Sequence, residues 1–131
     1  MQQKPIIQRS KPTVFYDGGC SLCHREISHY QRIDKQQCIR WVDFTRTPES
    51  LQEYDITYDN AMQQLHAVNP AGKVVLGVDS FLLIWSHLQS YRFLARLIET
   101  LRLKKPLNRI YNMFARWRYK NRCHGGCEIN Q

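Results

Sequence analysis

At 131 residues, with 43% hydrophobic and 11% aromatic side chains, the chain can bury roughly two-thirds of its unfolded surface and is too apolar for wholesale disorder. It needs neither metal nor disulfide merely to hold a core, so its five cysteines require a chemical explanation. The net charge of +8 arises entirely in residues 91–131, where ten Lys/Arg face only Glu99 and Glu128. A solvated outer helix face is the expected use of such a run. The other use is a surface for an acidic partner: nucleic acid, anionic lipid or an acidic protein.

The first twelve residues, MQQKPIIQRSKP, are polar and broken by Pro5 and Pro12, with no apolar stretch of the kind a signal peptide carries. The longest apolar run, 81–85, is far too short to cross a bilayer. These features predict a cytoplasmic protein whose thiols stay reduced. Residues 11–17 (KPTVFYD) read as a first strand, entering a turn at Asp17-Gly18-Gly19. From 20 to 34 the pattern turns helical, with Cys23, Ile27 and Tyr30 at i, i+4 and i+7 on one inward face. A second strand follows over 38–44, with Cys38 as a small buried residue at its start.

Thr47-Pro48 opens a short helix, a capping hydroxyl followed by proline at the first helical position. Residues 63–69 read as a third strand, and Asn69-Pro70-Ala71-Gly72 turns into a fourth over 73–76. Asp79 is placed to cap the helix FLLIWSHL, and helices over 92–101 and 106–122 complete the chain. In the last of them Leu107, Ile110, Tyr111, Phe114 and Trp117 form an apolar stripe expected to be core. The element order is βαβ, a ββ hairpin, then helix. One domain is expected: a core over about 11–90, a helical extension over 91–122 and a tail over 123–131.

The string Cys20-Ser21-Leu22-Cys23-His24 fits three chemistries: a redox dithiol, half a zinc site and covalent haem attachment. Its position favours the first. Where a strand ends and a helix begins, unpaired N–H groups and the positive end of the helix dipole stabilise a thiolate. A cysteine pKa lowered from about 8.5 towards 7 leaves roughly half the sulfur ionised at neutral pH. Cys20 occupies that point and is expected to attack. Cys23, sharing the inward face with Ile27 and Tyr30, is expected to be the less exposed sulfur and to resolve the mixed disulfide. Gly18 and Gly19 leave room for a substrate backbone beside Cys20. His24 and Arg25 are expected on a solvated helix face.

Zinc would require four ligands, and Cys20 and Cys23 could be joined by Cys123 and Cys127 in CHGGC if the C-terminus folds back. In that reading the protein is a non-catalytic binding scaffold with a basic helical surface. Haem would use His24 as axial ligand and needs an exported chain. Asp17, three residues before Cys20, is placed either to bind turn N–H groups or, if desolvated, to shuttle the proton of Cys23.

The strand and turn VFYDGGCSLC, with Asp17, Cys20 and Cys23, resemble the DCC family of thiol-disulfide oxidoreductases, named for an Asp-Cys-Cys motif. The likeness continues through VNPAGKVVLGVDSF and reaches IYNMFARWRYKNR, where Tyr111, Ala115, Arg116, Arg118 and Tyr119 match a Tyr/Arg-rich helix. The resemblance implies an α/β, thioredoxin-like fold: a four-stranded mixed sheet of order 2-1-3-4, flanked by helices, with extra C-terminal helices. It implies catalysis by Cys20, Cys23 and Asp17 with no metal or organic cofactor, acting on thiol- or disulfide-containing proteins or small molecules. The proline that usually precedes the third strand of such enzymes is missing. Ala61 or Met62 stands near its place, a trans peptide is expected there, and Met62 is expected to cover the disulfide and contact substrate.

Overall fold

The computed structural model describes residues 11–122. Cys123, Cys127 and the expected tail lie outside the described residues. Four short strands form one mixed sheet in the order 2-1-3-4: β1 (Thr13–Tyr16), β2 (Arg40–Asp43), β3 (His66–Val68) and β4 (Val74–Leu76). β1 runs parallel to β2, and β3 runs antiparallel to both β1 and β4. A parallel pair needs a crossover, here supplied by α1 (Ser21–Ile33). The βαβ–ββ order and the thioredoxin-like sheet are as the sequence predicts.

Strand alternation sorts side chains onto two faces. Phe15, Val42, Val68 and Val74 point to one side, where they meet Phe44, Leu51, Ile56, Ala61 and Met62. Val14, Trp41, Ala67 and Val75 point to the other, against Ile27 and Tyr30 of α1 and Ile84 of α3 (Val78–His87). The first face is covered by a 3₁₀ segment (Pro48–Tyr54), by α2 (Tyr58–Gln63) and by Tyr119 of the long helix α5 (Lys104–Arg122). Between α3 and α5 lies α4 (Arg92–Thr100), whose Ala95 and Ile98 pack on Val78 and Leu82. With both faces covered, the central strands β1 and β3 are buried almost throughout, while the edge strands β2 and β4 are half-buried or exposed. None of the described helices is long and apolar enough to cross a membrane.

Asp34 fixes the return from α1 to β2. It is buried, and its carboxylate accepts the N–H groups of Cys38 (2.8 Å) and Ile39 (3.1 Å) and the indole N–H of Trp41 (3.3 Å). Truncating an acceptor of this kind leaves several buried donors without a partner. Asp34→Ala is therefore expected to cost about 3 kcal/mol in denaturant-unfolding free energy. A loss below about 0.5 kcal/mol would mean that water replaces the carboxylate.

Local departures from the sequence reading have identifiable causes. Residues 58–63 form α2, capped by the Thr57 hydroxyl accepting the Asn60 N–H at 3.0 Å, so the third strand begins only at His66. Helix α3 starts at Val78, with Gly77 as its cap at φ +58°; Asp79 lies inside the first turn and pairs with Lys104 at 3.0 Å instead of capping. Cys38 precedes β2 and is half-buried rather than buried. The hairpin turn is as expected: Asn69 Oδ1 accepts the N–H groups of Ala71 and Lys73, and Gly72 takes φ +89°. The peptide bonds of the described residues are all trans.

Candidate active site

β1 ends at Tyr16 and delivers the chain through Asp17-Gly18-Gly19 to Cys20, the N-cap of α1. Cys20 keeps an extended backbone (φ −92°, ψ 116°), and its Sγ accepts the N–H of Cys23 at 3.3 Å. The sulfur thus stands where an oxygen stands in an ordinary helix cap, and negative charge on it meets the positive end of the helix. Both cysteines are free thiols.

The order of exposure is the reverse of that expected. Cys20 is 7% exposed, whereas Cys23 is half-buried. The reason is the cap itself: the Cys20 side chain folds back over the first turn, while Cys23 lines a cavity between α1 and α5. The two sulfurs differ in chemistry as well. Burial, reinforced by the hydrogen bond to Cys20, pushes the Cys23 thiol up to about 12, and the nearby charge of Arg118 opposes this only in part.

Beneath the pair lies an ion pair the sequence reading did not anticipate. Asp17 is 2% exposed; its Oδ1 accepts the Gly19 N–H at 2.9 Å and its Oδ2 lies 3.1 Å from Nη1 of Arg118 on α5. Arg118, itself buried, donates through Nη2 to the Met62 carbonyl. Arg118 is therefore not part of the basic surface to which its charge assigned it. Its spacing held the signal: it follows Tyr111 by seven and Phe114 by four, on the inward side of α5. Tyr111 accepts the Leu65 N–H at 2.7 Å, and Tyr119 donates to Asp59. Three of the helix residues in the family pattern thus stitch α5 to α2, to the residue before β3 and to the turn that leads into Cys20.

Gly18 is required for space. Its N–H reaches Asp43 Oδ1 at 3.0 Å, and a Cβ at this position would lie 1.9 Å from Asp43 Oδ2. That carboxylate cannot easily swing aside, because it also accepts the N–H and hydroxyl of Thr45 at 3.0 and 2.6 Å. Gly18→Ala is expected to cost about 2 kcal/mol. An unchanged urea midpoint would show that Asp43 moves without penalty. Gly19 is exposed beside Cys20. Met62 is 2% exposed, with its side chain in the core cluster and its carbonyl held by Arg118. His24 and Arg25 are exposed, as expected of a solvated face.

A small cavity of about 50 Å³ has Cys23, Asp17, Arg118, Phe44 and Ala61 in its wall. It adjoins a wider apolar groove of about 370 Å³ between α1, α3 and α5, with which it shares Leu22, Glu26, Phe81, Tyr111 and Phe114. A shallow depression at the α1 N-terminus is lined by Gly18, Gly19, Ser21, His24, Arg25 and Arg32. Among the described residues no group of three or more His, Cys, Asp or Glu side chains is arranged to hold a metal ion. Cys123 and Cys127, which a four-sulfur site would need, lie outside the described residues.

The DCC1-like thiol-disulfide oxidoreductase family matches residues 14–124, which include both cysteines, Asp17 and Arg118. "Uncharacterized protein At5g50100, chloroplastic" of Arabidopsis thaliana is 37% identical over 84 residues, covering 61% of this chain. The match spans only 38% of that relative's own length. No solved structure matches the chain. From the matched span and the dithiol within it, the chain belongs to the DCC1-like thiol-disulfide oxidoreductase family.

Proposed function

We propose that the protein exchanges two electrons with a disulfide or dithiol substrate, protein or small molecule, with Cys20 as nucleophile and Cys23 as resolving thiol. The observation that carries this reading is the asymmetry of the pair: Cys20 Sγ caps a helix, while the Cys23 thiol is pushed up to about 12. In the reducing direction, Cys20 thiolate attacks a substrate disulfide. A Cys20–substrate S–S bond forms and the first substrate sulfur leaves as thiolate. Cys23 then loses its proton and attacks Cys20 Sγ. The Cys20–Cys23 disulfide forms and the second substrate sulfur departs, so the substrate gains the two electrons the dithiol loses.

The pair times itself. Two of the influences that hold Cys23 protonated come from Cys20, its hydrogen bond and its charge. Both vanish once Cys20 is tied up in a mixed disulfide, so Cys23 ionises more readily when it is needed. Asp17 we assign a positioning role, since its oxygens already engage the Gly19 N–H and Arg118. Gly18 and Gly19 form the substrate-facing rim beside Cys20, and the setting is a reducing, cytosol-like compartment in which both sulfurs rest as thiols.

The test is a redox titration in glutathione buffers, with thiols trapped by alkylation and mapped by peptide mass. Cys20 and Cys23 should oxidise together as one two-electron couple between about −120 and −270 mV. Independent one-thiol behaviour would remove the dithiol function while leaving the fold.

A further inference from the structure

The described surface exposes nine large hydrophobic side chains, and seven of them fall within residues 93–117. Three of these, Phe93, Leu97 and Leu101, recur every fourth residue along and just past α4. Ile110, Met113 and Trp117 recur at i, i+3 and i+7 on α5, 64%, 64% and 58% exposed. The apolar stripe expected in this helix is thus wider than the core uses: Leu107, Tyr111 and Phe114 turn inward, and a second stripe is left uncovered.

On α5 itself the charges beside the stripe are of one sign, while Glu26 of α1 lines the groove that Ile110 borders. At 3.6 residues per turn, Lys105, Arg109, Arg116 and Lys120 fall on the arc of α5 beside the exposed stripe, and Arg96 falls on the arc beside Phe93. All five are exposed. Glu99 is the one acidic residue between 91 and 122. Lys104 is engaged by Asp79 and Arg118 by Asp17, so neither belongs to this set.

We propose that the outer side of α5 is a membrane-interfacial face that docks on anionic lipid bilayers, with Ile110, Met113 and Trp117 sunk at the headgroup–acyl boundary. The neighbouring Lys and Arg side chains meet lipid phosphates. Apolar side chains bordered by cations complement a surface that is both negative and greasy, which an anionic bilayer supplies at once. A second copy of this chain would bring the same cations against these. The helices lie on the surface, since none is long and apolar enough to span it. Ile110 also lines the groove that leads towards Cys23, so the face carries the mouth of that groove.

The experiment is co-sedimentation of the full chain with vesicles of phosphatidylcholine alone and of phosphatidylcholine mixed with phosphatidylglycerol. Binding should require the anionic lipid. It should weaken roughly 100-fold when Arg109, Arg116 and Lys120 are all replaced by Gln, at about fivefold per charge. Met113→Ser and Trp117→Ser together should abolish it, with the circular dichroism and the redox titration unchanged. Tryptophan emission should shift to the blue on binding, and most of the shift should be lost in Trp117→Phe, leaving only what the half-buried Trp41 and Trp85 contribute.

No binding to anionic vesicles would overturn the proposal. So would self-association in sedimentation velocity that the serine substitutions disperse, which would make the face a dimer interface. Equal affinity for a soluble polyanion with no emission shift would overturn it in favour of simple charge attraction. Because the substituted residues are remote from both sulfurs in sequence and exposed, failure here leaves the dithiol couple to stand or fall by its own titration.

Discussion

Replacing Arg118 by methionine is expected to remove about 3–5 kcal/mol of stability, a large share of the 5–15 kcal/mol typical of a domain. The arginine is buried with Asp17, and its loss leaves that carboxylate 2% exposed without the guanidinium opposite it. The Met62 carbonyl loses its donor at the same time. Much of the penalty comes from stranding a charge, so removing that charge should return part of it. Asp17→Asn in the Arg118→Met background keeps an acceptor for the Gly19 N–H and should recover at least half the loss. Arg118→Lys, which keeps the charge but not the fork that reaches two partners, should fall between. Equilibrium unfolding of the four proteins decides the matter. A loss below about 1 kcal/mol in Arg118→Met would mean the pair is solvated and weak.

The second large effect concerns the sulfurs. Cys20→Ser should abolish disulfide exchange. Cys23→Ser should leave the first attack intact and accumulate mixed disulfides on Cys20, visible by mass in non-reducing samples. The raised Cys23 thiol adds a pH signature. A thiol ionises above its pKa, so Cys23, pushed up to about 12, stays protonated through neutral and mildly alkaline pH. Alkylation of the wild type near pH 7–8 should therefore mark Cys20 first, with Cys23 labelled only as the pH rises towards that value. In Cys20→Ala both the hydrogen bond and the charge of the Cys20 sulfur are gone, and Cys23 should alkylate at lower pH than in the wild type. Faster labelling of Cys23 than of Cys20 in the wild type at neutral pH would exchange their roles, and its greater exposure makes the measurement discriminating.

Local pattern carried the sheet and the reactive turn. Val14 and Phe15 alternate onto opposite faces, Asn69 and Gly72 have the side-chain acceptor and the positive φ their turn requires, and Cys20 stands at the start of a helix. Interactions across the chain were not legible in the same way. Asp43 matters to the site because the parallel register sets it opposite Tyr16, next to Gly18, and register is a property of two strands together. Arg118 was read by charge, which describes surface well and buried pairs badly. The apolar residues of α5 are spaced widely enough to serve two arcs, and only the neighbours of the helix decide that Tyr111 is core and Ile110 is not. Cys20 and Cys23 exchanged their expected exposures because helical periodicity cannot describe a residue whose side chain caps the helix.

The Asp17–Arg118 pair also sets a clock. Its partners are 101 residues apart in sequence. A ribosome adding roughly 5–20 residues each second needs about 5–20 s between the two. For that interval the nascent chain carries both thiols and Asp17, with the helix that supplies Arg118 not yet made. Cys20 and Cys23 emerge early and the partner of Asp17 late, so the interval before α5 docks is when these thiols are most open to wrong disulfides.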